Sequence, residues 1–82
     1  EGEVVALTPT EYAILRLLMS NPGKVYSTKV LYESVWQETA LGSEGAVAVH
    51  IRHLREKIEI DPSDPRYLKV VWGQGYKMEG SN

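Results

Sequence analysis

"EGAVAVHIRHLREKI", residues 44–58, holds both histidines of the chain together with Arg52, Arg55 and Lys57. At 100° per residue, Ile51, Leu54 and Ile58 fall within about 40° of Val47. These four residues form a narrow apolar stripe on one side of a helix. The opposite side carries Gly45, Ala48, Val49, Arg52, His53 and Glu56, while His50, Arg55 and Lys57 flank the stripe. A helix divided in this way has one face for a core and one face free of bulky obstruction. Gly45 and Ala48 are small enough to let a partner come close. Val49 is apolar on an outward face, where a solvated helix is normally polar; a thymine methyl in a major groove is a group it can meet. Arg52 and His53 can donate to phosphates or base edges. A solvated helix with scattered basic residues fits the same pattern, and pattern alone leaves the two open.

Two helices are expected ahead of this one. In "TPTEYAILRLLMSNPG", Thr8 is placed to cap, Pro9 suits the first helical position and Glu11 completes a capping box. Tyr12, Ile14, Leu15, Leu18 and Met19 then cover a wide apolar arc, with Leu17 outside it, and Asn21-Pro22-Gly23 ends the helix. "KVYS" is a short extended piece. Ser27 is placed to cap "STKVLYESVWQ", whose stripe is Leu31, Val35 and Trp36. Ser43, at the end of the small-residue connector "ETALGSEG", is expected to cap the third helix. Downstream, "YLKVVWGQGYKM" reads as two strands around a tight Gly73-Gln74-Gly75 loop. At the front, "EVVAL" is expected to be a strand. Three helices followed by a hairpin is the layout of a winged helix-turn-helix, an α+β fold.

The chain has 82 residues, enough for one small domain (taken as 1–82) with a single modest core. It has no cysteine, which excludes disulfides and thiolate metal sites. No apolar run approaches a membrane span and no signal-peptide core is present, so a soluble, cytoplasmic domain is expected. The formal net charge is -2, which argues mildly against nucleic acid, since phosphate neutralisation supplies most non-specific DNA affinity. Distribution qualifies that total: between residues 50 and 57, Arg52, Arg55 and Lys57 face only Glu56.

Other chemistries fare poorly. His50 and His53 have a spacing that metal ligation can use, but no third ligand is evident in the sequence, and no metal or cofactor is expected. No paired acid and base, and no length for a deep pocket, point to catalysis, so no catalytic residue is assigned and an enzyme is not expected. Gly73-Gln74-Gly75 matches the first two glycines of a dinucleotide fingerprint, but position 78 is Met and no helix follows, so a hairpin tip is the better reading.

Four motifs carry a resemblance: "LTPTEYAILRLL", "GKVYSTKVLYESVW", "VAVHIRHLREKI" and "DPRYLKVVWGQGY". From Leu7 to Lys77 the chain resembles the effector domains of OmpR/PhoB-family two-component response regulators, with the motifs in the family's order and spacing. The resemblance implies a sequence-specific transcription factor in a phosphorelay. Its recognition helix, here 44–58, enters the major groove, and its wing, here 67–78, touches the neighbouring minor groove. It implies binding to direct repeats of double-stranded DNA by two protomers, head to tail, under control of an upstream receiver domain. The loop from Gln37 to Ser43 corresponds to where the family can engage RNA polymerase. Carried over by position, His50, Arg52, Arg55 and Trp36 resemble phosphate-contacting residues, Val49, His53 and Ala48 face base edges, and Trp72, Gly73, Gln74 and Tyr76 form the wing.

Three departures stand out. Where the family often has Arg-Thr at the start of the recognition helix, this chain has Gly45-Ala46; where the wing often has Arg, it has Trp72. Both changes remove positive charge, and they favour a rival reading: a winged helix that binds protein and has weak or lost DNA affinity. The family also precedes helix one with a four-stranded sheet, of which only a strand near Val4 to Leu7 is expected here. The chain therefore reads as a truncated domain, with the excess apolar width of helix one, including Leu17, meant for cover from upstream.

Overall fold

The computed structural model describes residues 6–79. Its elements are α1 (Pro9–Ser20), α2 (Thr28–Trp36), α3 (Gly45–Ile58), β1 (Leu68–Val71) and β2 (Gly75–Met78). This is the winged helix-turn-helix expected from the sequence. Val4 and Val5 of the expected first strand lie outside the described residues, and Ala6 and Leu7 are not in a strand.

Local signals start the first two helices. Thr8 accepts the Glu11 amide at 3.1 Å and Glu11 accepts the Thr8 amide at 3.0 Å, a reciprocal capping box. Ser27 accepts the Val30 amide at 3.1 Å and so caps α2. The third helix departs from expectation: Ser43 does not cap it. The N-cap is Glu44, already in right-handed helical conformation and with no side-chain cap bond. Instead the Ser43 and Glu44 carbonyls accept the Ala46 and Val47 amides, a tight turn that leads straight into the helix.

The three helices meet on Ile14, Leu18, Leu31, Val47, Ile51 and Leu54, each at most 1% exposed. Leu68 of β1 and Met78 of β2 close the core from the hairpin side. Fully burying an aliphatic side chain of this size contributes about 1.5–3 kcal/mol, so this cluster holds α3 in its rotation about its own axis. Leu17 differs from expectation in being half-buried against the core, where it lines a groove between α1 and α2. The apolar residues of α1 that remain bare are Tyr12 and Met19.

β1 and β2 pair antiparallel, with Leu68 opposite Met78 and Val71 opposite Gly75. The connecting loop is therefore Trp72-Gly73-Gln74, one residue earlier than expected, and Gly73 supplies its positive φ of 78°. Gly75 serves a different need. Tyr26 pairs with Tyr76 through two backbone hydrogen bonds of 2.8 and 2.9 Å, and a Cβ on Gly75 would stand 2.0 Å from the Tyr26 carbonyl oxygen. Only glycine lets the "KVYS" segment lie so close to the hairpin.

Between α3 and β1, Glu59 organises the turn-rich link. Its Oε1 accepts the Arg66 amide at 2.8 Å and its Oε2 accepts the Tyr67 and Leu68 amides at 3.0 and 2.8 Å. Burial alone would push its carboxyl up, but the Leu68, Arg66 and Tyr67 amides and the neighbouring Arg55 charge outweigh it and hold it below the ordinary carboxylate value.

Candidate nucleic-acid interface

The stripe of α3 decides what its other face can do. Val47, Ile51 and Leu54 are sealed in the core and Ile58 is half-buried against it. Gly45, Ala48, Val49, Arg52, His53 and Glu56 are all exposed. Nothing lies within 4 Å of where a Gly45 side chain would start, so the first turn of α3 is open to close approach. Arg52 makes no hydrogen bond or ion pair among the described residues, leaving its guanidinium available. Val49 is 44% exposed. Thus Ala48, Val49, Arg52 and His53 share one accessible surface.

His50 stands at the edge of that surface. It is half-buried, with its ring centroid 5.5 Å from Trp36 and 6.3 Å from His53. Trp36 is in turn stacked on Tyr32 at 4.8 Å. Tyr32, absent from the expected stripe of α2, is buried and donates its hydroxyl to Glu38 at 2.8 Å. The Tyr32–Trp36–His50 pile places two polar ring edges beside the exposed face of α3.

Two cations near α3 are used inside the protein. Arg55 is half-buried and its Nε donates to the Leu68 carbonyl at 3.1 Å, tying α3 to β1. Part of the guanidinium expected at phosphate is therefore spent on the hairpin. Lys57 donates to Glu11 Oε1 at 2.6 Å and to the Ala6 carbonyl at 2.9 Å. The Lys57 hydrogen bond, the Thr8 amide and the Lys57 charge hold the buried Glu11 carboxyl below its ordinary value. This bridge between α1 and α3 escaped the sequence reading: its partners are 46 residues apart, and no local pattern links them.

At the far side of the site, Trp72 is 88% exposed at the hairpin tip, with Gly73 and Gln74 exposed beside it. Tyr76 is half-buried against the core, so it anchors the hairpin more than it extends it. The arrangement offers one exposed helix, an aromatic and imidazole edge, and a projecting tip. Its positive charge is modest, resting chiefly on Arg52, with Glu56 on the same face. No helix among the described residues is long and apolar enough to cross a membrane.

Comparison with known proteins places this geometry. The family described as "Transcriptional regulatory protein, C terminal" matches residues 2–78. The regulatory protein VanR of Enterococcus faecium is 46% identical over 76 residues, covering 92% of this chain and 33% of VanR. The Thermotoga maritima response regulator DrrB, an OmpR/PhoB homologue, has a crystal structure similar to this one with a TM-score of 0.83 at 38% identity, covering 93% of this chain and 34% of DrrB. The Klebsiella pneumoniae RstA DNA-binding domain, solved in complex with the RstA box, is similar with a TM-score of 0.85 at 28% identity, covering 95% of this chain and 77% of that one. The chain spans about a third of the length of the curated relatives it matches.

Proposed function

Because the chain belongs to the family of C-terminal domains of transcriptional regulatory proteins, of the OmpR/PhoB type, we propose that it binds double-stranded DNA sequence-specifically as the output domain of a two-component response regulator. In this reading residues 1–82 are one winged-helix domain of a cytoplasmic, non-enzymatic regulator, with a receiver domain elsewhere in the protein. The observation that carries it is the division of α3: Val47, Ile51 and Leu54 sealed at 0–1% exposure, with Ala48, Val49, Arg52 and His53 open on the other side. The RstA domain, solved on its own DNA box, shares the fold over 95% of this chain.

The residues take distinct roles. Ala48, Val49 and His53 face base edges in the major groove, which is about 12 Å wide and admits one helix. Arg52 grips a phosphate. His50 and Trp36 lie against the sugar-phosphate backbone, and Arg55, whose Nε is bonded to the Leu68 carbonyl and whose Nη2 is buried, presents to it only what remains. Trp72, Gly73 and Gln74 reach the adjacent minor groove, with Tyr76 fixing the wing behind them. Two protomers on direct repeats compensate for the modest charge, because linking two modules on one DNA raises apparent affinity by orders of magnitude. The exposed 37–43 loop, with Leu41 85% exposed, is the surface for RNA polymerase.

The test is selection of bound sequences from random duplexes with the full-length regulator, followed by affinity measurements across a salt series. A selected direct repeat whose affinity falls steeply with salt is the expected result. No enrichment, or binding indifferent to salt, would overturn the proposal.

A further inference from the structure

We propose that Glu11, His50 and His53 form a binding site for a divalent transition-metal ion of the zinc class. One carboxylate oxygen of Glu11 and one ring nitrogen of each histidine lie within 4.8 Å of one another. The third ligand, which the sequence did not reveal, comes from α1 and is brought to α3 by the packing of the two helices.

Each ligand is prepared in a different way. Glu11 is nearly buried at 3% exposure, and its Oε1 is already occupied by Lys57 at 2.6 Å and the Thr8 amide at 3.0 Å. That leaves Oε2, which faces His53 Nδ1 at 4.0 Å. Hydrogen bonds that orient a ligating carboxylate in this way are the usual support of a metal ligand. His50 Nδ1 is buried with no hydrogen-bond partner. A buried polar atom left unpaired is destabilising, and a cation bound at this nitrogen would satisfy it. His53 is half-exposed.

The donor set selects the ion. Two imidazoles and one carboxylate suit zinc and its neighbours, whereas calcium and magnesium prefer oxygen alone. Ligands about 2.0–2.2 Å from a tetrahedral ion stand roughly 3.3–3.6 Å apart, so the three side chains draw together on binding. Three protein ligands leave one position for water. Lys57 places a positive charge beside the site and opposes a dication, so binding is weaker than in a closed cysteine-containing site. The same imidazoles are those assigned to DNA, but the metal site itself does not depend on that assignment.

The test needs no DNA. The full-length protein, stripped of metal with chelator, is titrated with Zn2+ by calorimetry and with Co2+ by visible absorption. The expected result is a saturable uptake with the absorption of a low-coordinate, nitrogen-ligated cobalt centre. In His53→Gln and His50→Gln that increment weakens by at least about tenfold, the cost of losing even a supporting partner of a ligand, with unchanged circular dichroism, whereas Glu56→Gln on the same helix leaves it intact. Absence of any such increment in the wild type, or an increment that survives both histidine substitutions, would overturn the proposal.

Discussion

Glu59 offers the sharpest perturbation of the fold, because one carboxylate collects three backbone amides and two of its variants remove different numbers of them. In Glu59→Gln the amide oxygen can stand where Oε2 stood and keep the Tyr67 and Leu68 bonds. Its NH2 then meets the Arg66 N–H head on, so one charge-assisted bond is lost and the other two become neutral. A hydrogen bond to a charged group is worth about 1.5–3 kcal/mol, and the part-buried Arg66 amide recovers part of that from water. The expected loss is about 1–2 kcal/mol. In Glu59→Ala all three bonds go and the buried Leu68 amide has no substitute, for a loss of about 3–5 kcal/mol. Stability scales at roughly 0.05–0.15 kcal/mol per residue, so the Ala variant forfeits much of what an 82-residue domain has. With Tm moving about 4–8 °C per kcal/mol in a domain of this size, the Gln variant melts roughly 5–15 °C lower. Urea unfolding measured from pH 7 down to pH 3 gives both numbers. The Glu59 carboxyl lies below its reference value of 4.5 in the folded state. Its contribution is therefore complete above that value and is lost as pH falls through the folded one. Glu11 is depressed too, so Glu59→Gln flattens the acid limb without abolishing it. An Ala variant within about 0.5 kcal/mol of wild type, or a Gln variant whose acid limb parallels the wild type's, refutes the reasoning.

Three further outcomes follow from the geometry. Arg52→Ala weakens binding to all duplexes alike and lowers the salt slope by about 1, as a phosphate contact should; a loss confined to the preferred sequence would make Arg52 a base reader. His53→Ala relaxes preference at one base position by about 1–3 kcal/mol, and an unchanged selection profile rules this out. Gly75→Ala drives a methyl into the Tyr26 carbonyl, 2.0 Å away, so the hairpin must shift. A Tm drop of at least about 5 °C, with loss of amide-exchange protection at Tyr26 and Tyr76, is expected; native protection at both sites would refute the contact.

What was legible in the sequence was what local spacing encodes. The α3 stripe, the Thr8–Glu11 box and the Ser27 cap each depend on residues within a turn or two of one another. Ser43 failed as a cap because the chain enters α3 already helical, a feature of the connector's path that a Ser before a helix does not report. The loop slipped by one residue because both Gly73 and Gly75 satisfy a turn pattern, and only the approach of Tyr26 explains the second. The site divides in the same way. The outward face of α3 could be listed from its period, whereas the diversion of Arg55 to Leu68 and the burial of Glu11 beneath Lys57 arise where separate elements meet.

The bond between Tyr26 and Tyr76 has a reach beyond the hairpin. Ser27, the next residue, caps α2, the Gly23 amide also donates to the Met78 carbonyl, and Arg55 ties β1 to α3, so the projecting tip is fixed to both helices. Under the proposed function, the span from Trp72 to α3 behaves as a rigid gauge. A rigid gauge favours duplexes whose groove spacing already matches it, and stiff mismatched DNA pays in distortion. Discrimination would then extend to base pairs that no side chain touches.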